Sequence, residues 1–273
     1  MKKNTVRRKY FSLFRIRFAN GLQYRTAAYA GVATQFAWGT MNILLYAAFY
    51  RTNPANFPME FSQLASYIWL QQAFLALFMV WGLDNDIFEL IRSGNIAYEL
   101  ARPVHLYAMW FVKNLAMRLA RAVLRCFPIL IVAAFLPAPY GLSAPPDPLA
   151  FVMFLFTASL GFFLVVAFCM LVYIATFYTL SPQGVRLVAI SMTDFFAGAI
   201  IPLPFLPDRL RAVFELLPFG SMLNLPLRIY SGNIAGAEMW RLTAVQAFWL
   251  LTLTAFGIVW IKHAVSRVVV QGG

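Results

Sequence analysis

Residues 26–50, TAAYAGVATQFAWGTMNILLYAAFY, contain no charge and are closed by Arg25 on one side and Arg51 on the other. An α-helix rises about 1.5 Å per residue and a bilayer core is about 30 Å thick, so about 20 such residues cross it. Comparable runs recur near 61–82, 115–136, 150–180, 186–206 and 240–261. They are too long for barrel strands, which need only about 10 alternating residues. The reading is an all-α membrane protein: one domain over residues 1–273 with six transmembrane helices. No polar stretch is long enough for a second domain.

Composition agrees. The chain is 62% hydrophobic and 12% charged, whereas soluble domains carry about 25% charged residues. The net charge of +12 invites a nucleic-acid reading, but eight of the 22 Lys and Arg lie within the first 25 residues, before the first span. Basic charge beside a span is topology signal and lipid-headgroup contact, so the expected partners include membrane lipids and no nucleic acid. Cys126 and Cys169 sit in apolar runs without a CxxC partner and read as small buried hydrophobes. The basic, aromatic N-terminus lacks the short apolar core and A-x-A site of a cleavable signal peptide.

Charge also orients the spans. With both termini on one side, that side carries 17 Lys and Arg and the other carries five. The positive-inside rule puts both termini in the cytoplasm. The third span is crowded at its start by Lys113, Arg118, Arg121 and Arg125 and is expected to begin as an amphipathic surface helix. Before the first span, Phe11, Phe14, Phe18 and Leu22 recur at helical spacing beside Arg8 and Arg15. Residues 4–22 therefore read as an N-terminal interfacial helix on the cytoplasmic leaflet, or as a topology anchor and nothing more.

Three segments could carry function. The first is the cytoplasmic loop 83–105, LDNDIFELIRSGNIAYELARPVH, with Asp84, Asp86, Glu89 and Glu99. Asp84 or Asp86 can cap a short helix, Gly94 ends it, and Pro103 marks the next break. Phe88 and Ile91 share one face of that helix, flanked by Glu89 and Arg92; such a face either meets a partner or packs back on the bundle. The second segment, 202–238, holds Pro202, Pro204, Pro207, Pro218 and Pro226 among apolar residues. It is too broken for one span and too apolar for a solvated loop. Two re-entrant half-helices, near 208–217 and 220–231, fit that pattern, as does a loop lying flat on the headgroups. The third is Asp194, alone inside span five; it either faces the transport pathway, pairs with an Arg of span three, or stays protonated. Arg118, Arg121 and Arg125 share one helical face and read either as headgroup contacts or as a lining for an anionic substrate. SGNIA occurs twice, at 93–97 and 231–235, with unmatched flanks, and reads as turn chemistry rather than a repeat.

Catalysis by the chain alone is not expected. It has no G-x-x-x-x-G-K-[ST], no H-E-x-x-H and no G-x-S-x-G, and only His105 and His263.

The run IRSGNIAYELARPVHLY at 91–107 resembles the loop after the second span in type-2 ABC-transporter permeases, most narrowly a bacterial branch with Arg-Ser-Gly followed by Glu-Leu and Arg-Pro. IPLPFLPDRLRAVFELLPF at 201–219 and VVVQGG at 268–273 fit the same branch, so the resemblance covers nearly the full chain. It implies a permease subunit of a bacterial inner-membrane exporter, multi-pass, with no cofactor on this chain. ATP and Mg would bind a separate ABC ATPase subunit, present in two copies, and a second permease chain, identical or related, would complete the pathway. The loop would be the coupling helix, carried by Asp84, Asp86, Ile87, Phe88, Glu89, Ile91 and Arg92. The proline-rich stretch would supply extracytoplasmic re-entrant half-helices before the last span. The competing expectation is an ion-gradient-driven secondary transporter. Such proteins show inverted repeats and several buried carboxylates; here one carboxylate and no repeat are found.

Overall fold

The computed structural model describes residues 2–52, 57–179 and 181–267; the VVVQGG stretch at 268–273 lies outside the described residues. The chain is 80% helix, with no strand among the described residues.

In chain order the helices are α1 (Lys2–Gly21), α2 (Arg25–Thr52), α3 (Phe61–Ala73), α4 (Leu75–Phe78), α5 (Asn85–Arg92), α6 (Ile96–Leu100), α7 (Leu106–Phe135), α8 (Pro148–Ala175), α9 (Pro182–Phe196), α10 (Asp208–Leu216), α11 (Pro218–Met222), α12 (Asn224–Tyr230) and α13 (Gly236–Val265). By length and apolar composition, α8 with the 3-10 turn that prolongs it to Tyr178, and α13, suffice to cross a bilayer.

α8 is the centre of the packing. Asp147 caps it by accepting from the Ala150 amide at 2.7 Å, and Pro148 occupies the first turn, where a missing N–H costs nothing. α13, α12, α11 and α7 pack around it. Gly161 lets the backbone of Met222 approach: a Cβ there would lie 2.4 Å from the Met222 carbonyl oxygen. Gln246 of α13 is fully buried, and its amide nitrogen donates to the Thr157 and Ser221 carbonyls. One side chain thereby ties α13 to α8 and α11. α2 instead turns only a narrow stripe inward, Ala28, Gln35, Gly39, Ile43 and Ala47. The rest of it leaves Tyr29, Trp38, Leu44 and Phe49 exposed.

Three boundaries differ from the sequence expectation. The helix of the 61–82 run breaks at Phe74, and α4 is followed by a 3-10 turn at Val80–Gly82. α7 starts at Leu106 as one continuous helix, not at 115, with no separate surface helix before it; Lys113 and Asn114 are buried within it. α9 stops at Phe196 rather than reaching 206. Gly198 takes a φ of 75°, and Pro202 and Pro204 prevent the helix from resuming.

The stretch expected to form two half-helices forms α10, α11 and α12, the second expected helix being split at Leu223. Both SGNIA copies end a helix. Ser93 and Ser231 are the C-caps of α5 and α12, and Gly94 and Gly232 follow with φ of 75° and 74°. The shared pentapeptide is a helix-stop signal used twice. The interfacial candidate is the continuous helix α1, packed along the first half of α7. The His105 amide donates to the Tyr10 hydroxyl at 3.1 Å, and Gly21 sits against Ala120.

Candidate functional site

The loop 83–105 folds as α5 and α6 against the ends of α7 and α8. Asp84 caps α5, accepting from the Asp86 amide at 3.0 Å. Its own amide donates to the Tyr173 hydroxyl at 2.7 Å, and Asn114 donates to the same oxygen at 3.2 Å. Its carboxylate lies 3.0 Å from Lys113 Nζ, with both side chains only 5% exposed. Asp84 is therefore an internal tether to α7 and α8.

Phe88 and Ile87 are also internal. Phe88 is 4% exposed, its ring centroid 5.1 Å from that of Tyr173, and the Arg186 guanidinium covers it at 5.3 Å. Arg186 also donates to Asn85 Oδ1 at 2.7 Å, joining α9 to α5. Ile91 is half-buried against the same core. The expectation of Phe88 and Ile91 as an exposed apolar anchor is corrected: the apolar face turns inward, where Tyr173 and Trp110 meet edge to face. The outward face consists of Asp86, Glu89, Arg92, Asn95 and Tyr98. Glu89 and Arg92 pair at 2.9 Å, and Tyr98 is 74% exposed. Behind Tyr98, Glu99 accepts from the Trp110 indole and fixes α6 to α7.

The three arginines of α7 are not placed alike. Arg118 is 1% exposed; it donates to the Leu77 and Met79 carbonyls at 3.1 and 2.7 Å and lies 3.1 Å from Cys169 Sγ. A helix leaves its last carbonyls without partners, and Arg118 satisfies those left by the break after α4. Arg121 donates to Gly82 O at 3.2 Å, and Arg125 to Ala27 O at 3.4 Å, both from the wall of an open cleft.

Asp194 is half-buried on α9, and among the described residues no cation lies within salt-bridge distance of it. Pairing with span three is thereby corrected, since Arg118 is spent on carbonyls. One Asp194 oxygen is buried without a hydrogen-bond partner.

At the far end of the bundle, Arg228 of α12 pairs with Glu215 of α10, the side chains 5% and 7% exposed. Arg228 Nε also donates to Asn233 Oδ1 at 2.7 Å, while Arg211 and Arg241 lie 4.0 Å from Glu215. The sequence reading counts Arg228 as a loop charge and Lys113 as one of the cations crowding span three, and it leaves Glu215 and Tyr173 unassigned. Lys113 stood in a crowd of four cations with Arg118, Arg121 and Arg125, and nothing local singled it out as the one with a buried counter-charge.

α5 and α6 are thus tethered to the bundle on one side and present a polar, aromatic face on the other. A family model described as ABC-2 family transporter protein matches residues 36–272. The chain belongs to the ABC-2 transporter family. No curated protein and no solved structure matches it. As an ABC-2 permease it is a membrane subunit rather than an enzyme, and membership implies partnership with an ABC ATPase. The secondary-transporter expectation is set aside on the same ground. Among the described residues no group of three His, Cys, Asp or Glu could hold a metal ion.

Proposed function

We propose that this ABC-2 permease is the pathway-forming subunit of an ATP-driven exporter in the bacterial inner membrane. In this reading the six spans are α2, α3 with α4, α7, α8, α9 and α13, both termini are cytoplasmic, and α1 lies at the cytoplasmic interface. Helices α10 to α12 are the extracytoplasmic half-helices that close the outer end. A second permease chain completes the pathway, and two ATPase subunits bind ATP and Mg. The spans, half-helices and loop make one domain.

One observation carries the coupling assignment. α5 is bonded at Asp84 into α7 and α8, while Glu89, Arg92 and Tyr98 face away from the bundle. An element fixed at its back and open at its front transmits displacement. Tyr98 is the group suited to a groove in the ATPase, since interface hot spots favour aromatic side chains with a polar tip. Tyr98→Ala is expected to weaken ATPase association by about 2 kcal/mol, roughly thirtyfold. The membrane domain should fold unchanged, because Tyr98 leaves no cavity. Co-purification with the ATPase and substrate-stimulated ATP hydrolysis are the measurements; normal values for both in a Tyr98→Ala, Arg92→Ala double variant would remove this face as the coupling surface.

Orientation is tested at the 137–149 loop. Ser143 is exposed and should be extracytoplasmic. A single cysteine there, in a background without Cys126 and Cys169, should react with an impermeant reagent on intact cells. Labelling only after lysis would invert the topology.

Asp194 is assigned to the pathway. Among the described residues no cation pairs with its half-buried carboxylate, and an unpaired carboxylate inside a span is retained for a use. Asp194→Asn is expected to assemble normally and to lose most of its transport. A variant that transports like the parent would make the residue a tolerated polar group.

A further inference from the structure

A cleft of about 460 Å³ opens where α1, the turn into α2, α7 and the start of α5 meet. Arg17, Arg121 and Arg125 line it, with Asn20 and Tyr24 beside them. Two carboxylates, Asp84 and Asp86, also reach its wall, but both lie near Lys113 Nζ, at 3.0 and 3.9 Å. Among the described residues, no carboxylate lies within 4.0 Å of any of the three arginines.

The cleft is built rather than incidental. The Arg125 guanidinium lies flat against Gly31, where a Cβ would come within 2.5 Å of Cζ, so a bare glycine makes its seat. Arg125 Nε is buried without a hydrogen-bond partner. A guanidinium carries five N–H donors, and Arg121 and Arg125 each give one hydrogen bond to a carbonyl. The two also stand one turn apart on α7, a like-charge spacing that is unfavourable without an anion between them. A second depression of about 290 Å³, lined by Leu22, Arg25, Ala28, Tyr29 and Leu124, adjoins the first and shares Ala28 and Leu124 with it.

We propose that this cleft binds a phosphate group, brought by the headgroup of an anionic phospholipid. Guanidinium forks match phosphate oxygens in two-point geometry. The adjoining depression, with Leu22, Tyr29 and Leu124, takes the first part of the acyl region. The bound phosphate bridges Arg17 of α1 to Arg121 and Arg125 of α7, so it clamps α1 beside Asp84, the tether of α5. The proposal rests on the reading that this end of the bundle meets the cytoplasmic leaflet, where anionic lipid and basic pockets coincide.

The test is thermal unfolding of the full-length, delipidated protein in detergent, with added phosphatidylglycerol, phosphatidylcholine or inorganic phosphate. Phosphatidylglycerol should raise the unfolding temperature saturably, and phosphatidylcholine much less. The gain should vanish in Arg121→Gln, Arg125→Gln, fall in Gly31→Ala, which displaces Arg125 without removing charge, and persist in Arg51→Gln. If the double variant does not fold, Arg17→Gln is judged by the same criterion. A full response to inorganic phosphate alone supports the phosphate site and overturns the lipid as its source. Equal responses to the two lipids without a phosphate response, or a full phosphatidylglycerol response in the arginine variants, overturn the site. Lipid dependence is read without the ATPase, so failure of the Tyr98 experiment with intact lipid binding would sink the coupling reading alone.

Discussion

Lys113→Met is expected to destabilise the protein by roughly 3–5 kcal/mol, the cost of leaving a buried carboxylate without its counter-charge. The Asp84 carboxylate is 5% exposed and meets Lys113 Nζ at 3.0 Å. Without the ammonium it must either hold its charge in a poor solvent or take up a proton. It also caps α5, and a cap alone is worth about 0.5–2 kcal/mol. The damage should concentrate in the loop, so protease sensitivity should appear within 85–105 before the rest of the chain opens. Lys113→Met combined with Asp84→Asn should recover most of the loss, because the asparagine still caps and the charge is gone. Detergent-solubilised protein unfolded by a denaturing detergent gives the measurement. A loss below about 1 kcal/mol, or no recovery in the double variant, would mean that water reaches the pair and screens it.

The second large effect is at Arg228. Arg228→Met leaves Glu215 buried, with its remaining cations, Arg211 and Arg241, at 4.0 Å; a cost of roughly 3–5 kcal/mol is expected here too. The site differs from the first in geometry. Arg228 uses one nitrogen on Glu215 and Nε on Asn233, so the planar fork holds α10, α12 and the turn after α12 together. Arg228→Lys keeps the charge and loses the fork, so it should fall between parent and Arg228→Met. Arg228→Met with Glu215→Gln should cost much less than the sum of the two single changes, since the two residues act on each other. Additive losses would show that the pair is not coupled and that the three short helices are held by packing alone.

Much of the fold was legible because its signals are local. Uncharged runs between Arg25 and Arg51, and the apolar content of α8 and α13, report length and solvent directly. Asp84 and Gly94 bound α5 as cap and stop, chemistry readable within a few residues. The breaks at Phe74 and after Phe196 were not legible, because apolar composition continues across both. The first is sustained by Arg118, which belongs to another helix. Phe88 shows the same limit at the site. Spacing defines its face but not the side from which Tyr173 approaches, and that ring comes from α8. The outward residue Tyr98 carries no helical stripe to announce it.

The guanidinium of Arg118 has a mechanical consequence. An unbroken helix pairs its backbone groups within itself, so it can slip along its axis without losing them. The lower end of α3 and α4 cannot, because the carbonyls of Leu77 and Met79 are held by a side chain rooted in α7. A slip of one turn, about 5.4 Å, would carry both oxygens beyond hydrogen-bonding reach. α7 is in turn locked to Asp84 through Lys113. In the proposed coupling role, a push on α5 is expected to reach the bundle as a tilt of α3, α4 and α7 moving as one lever rather than as axial sliding of a single span.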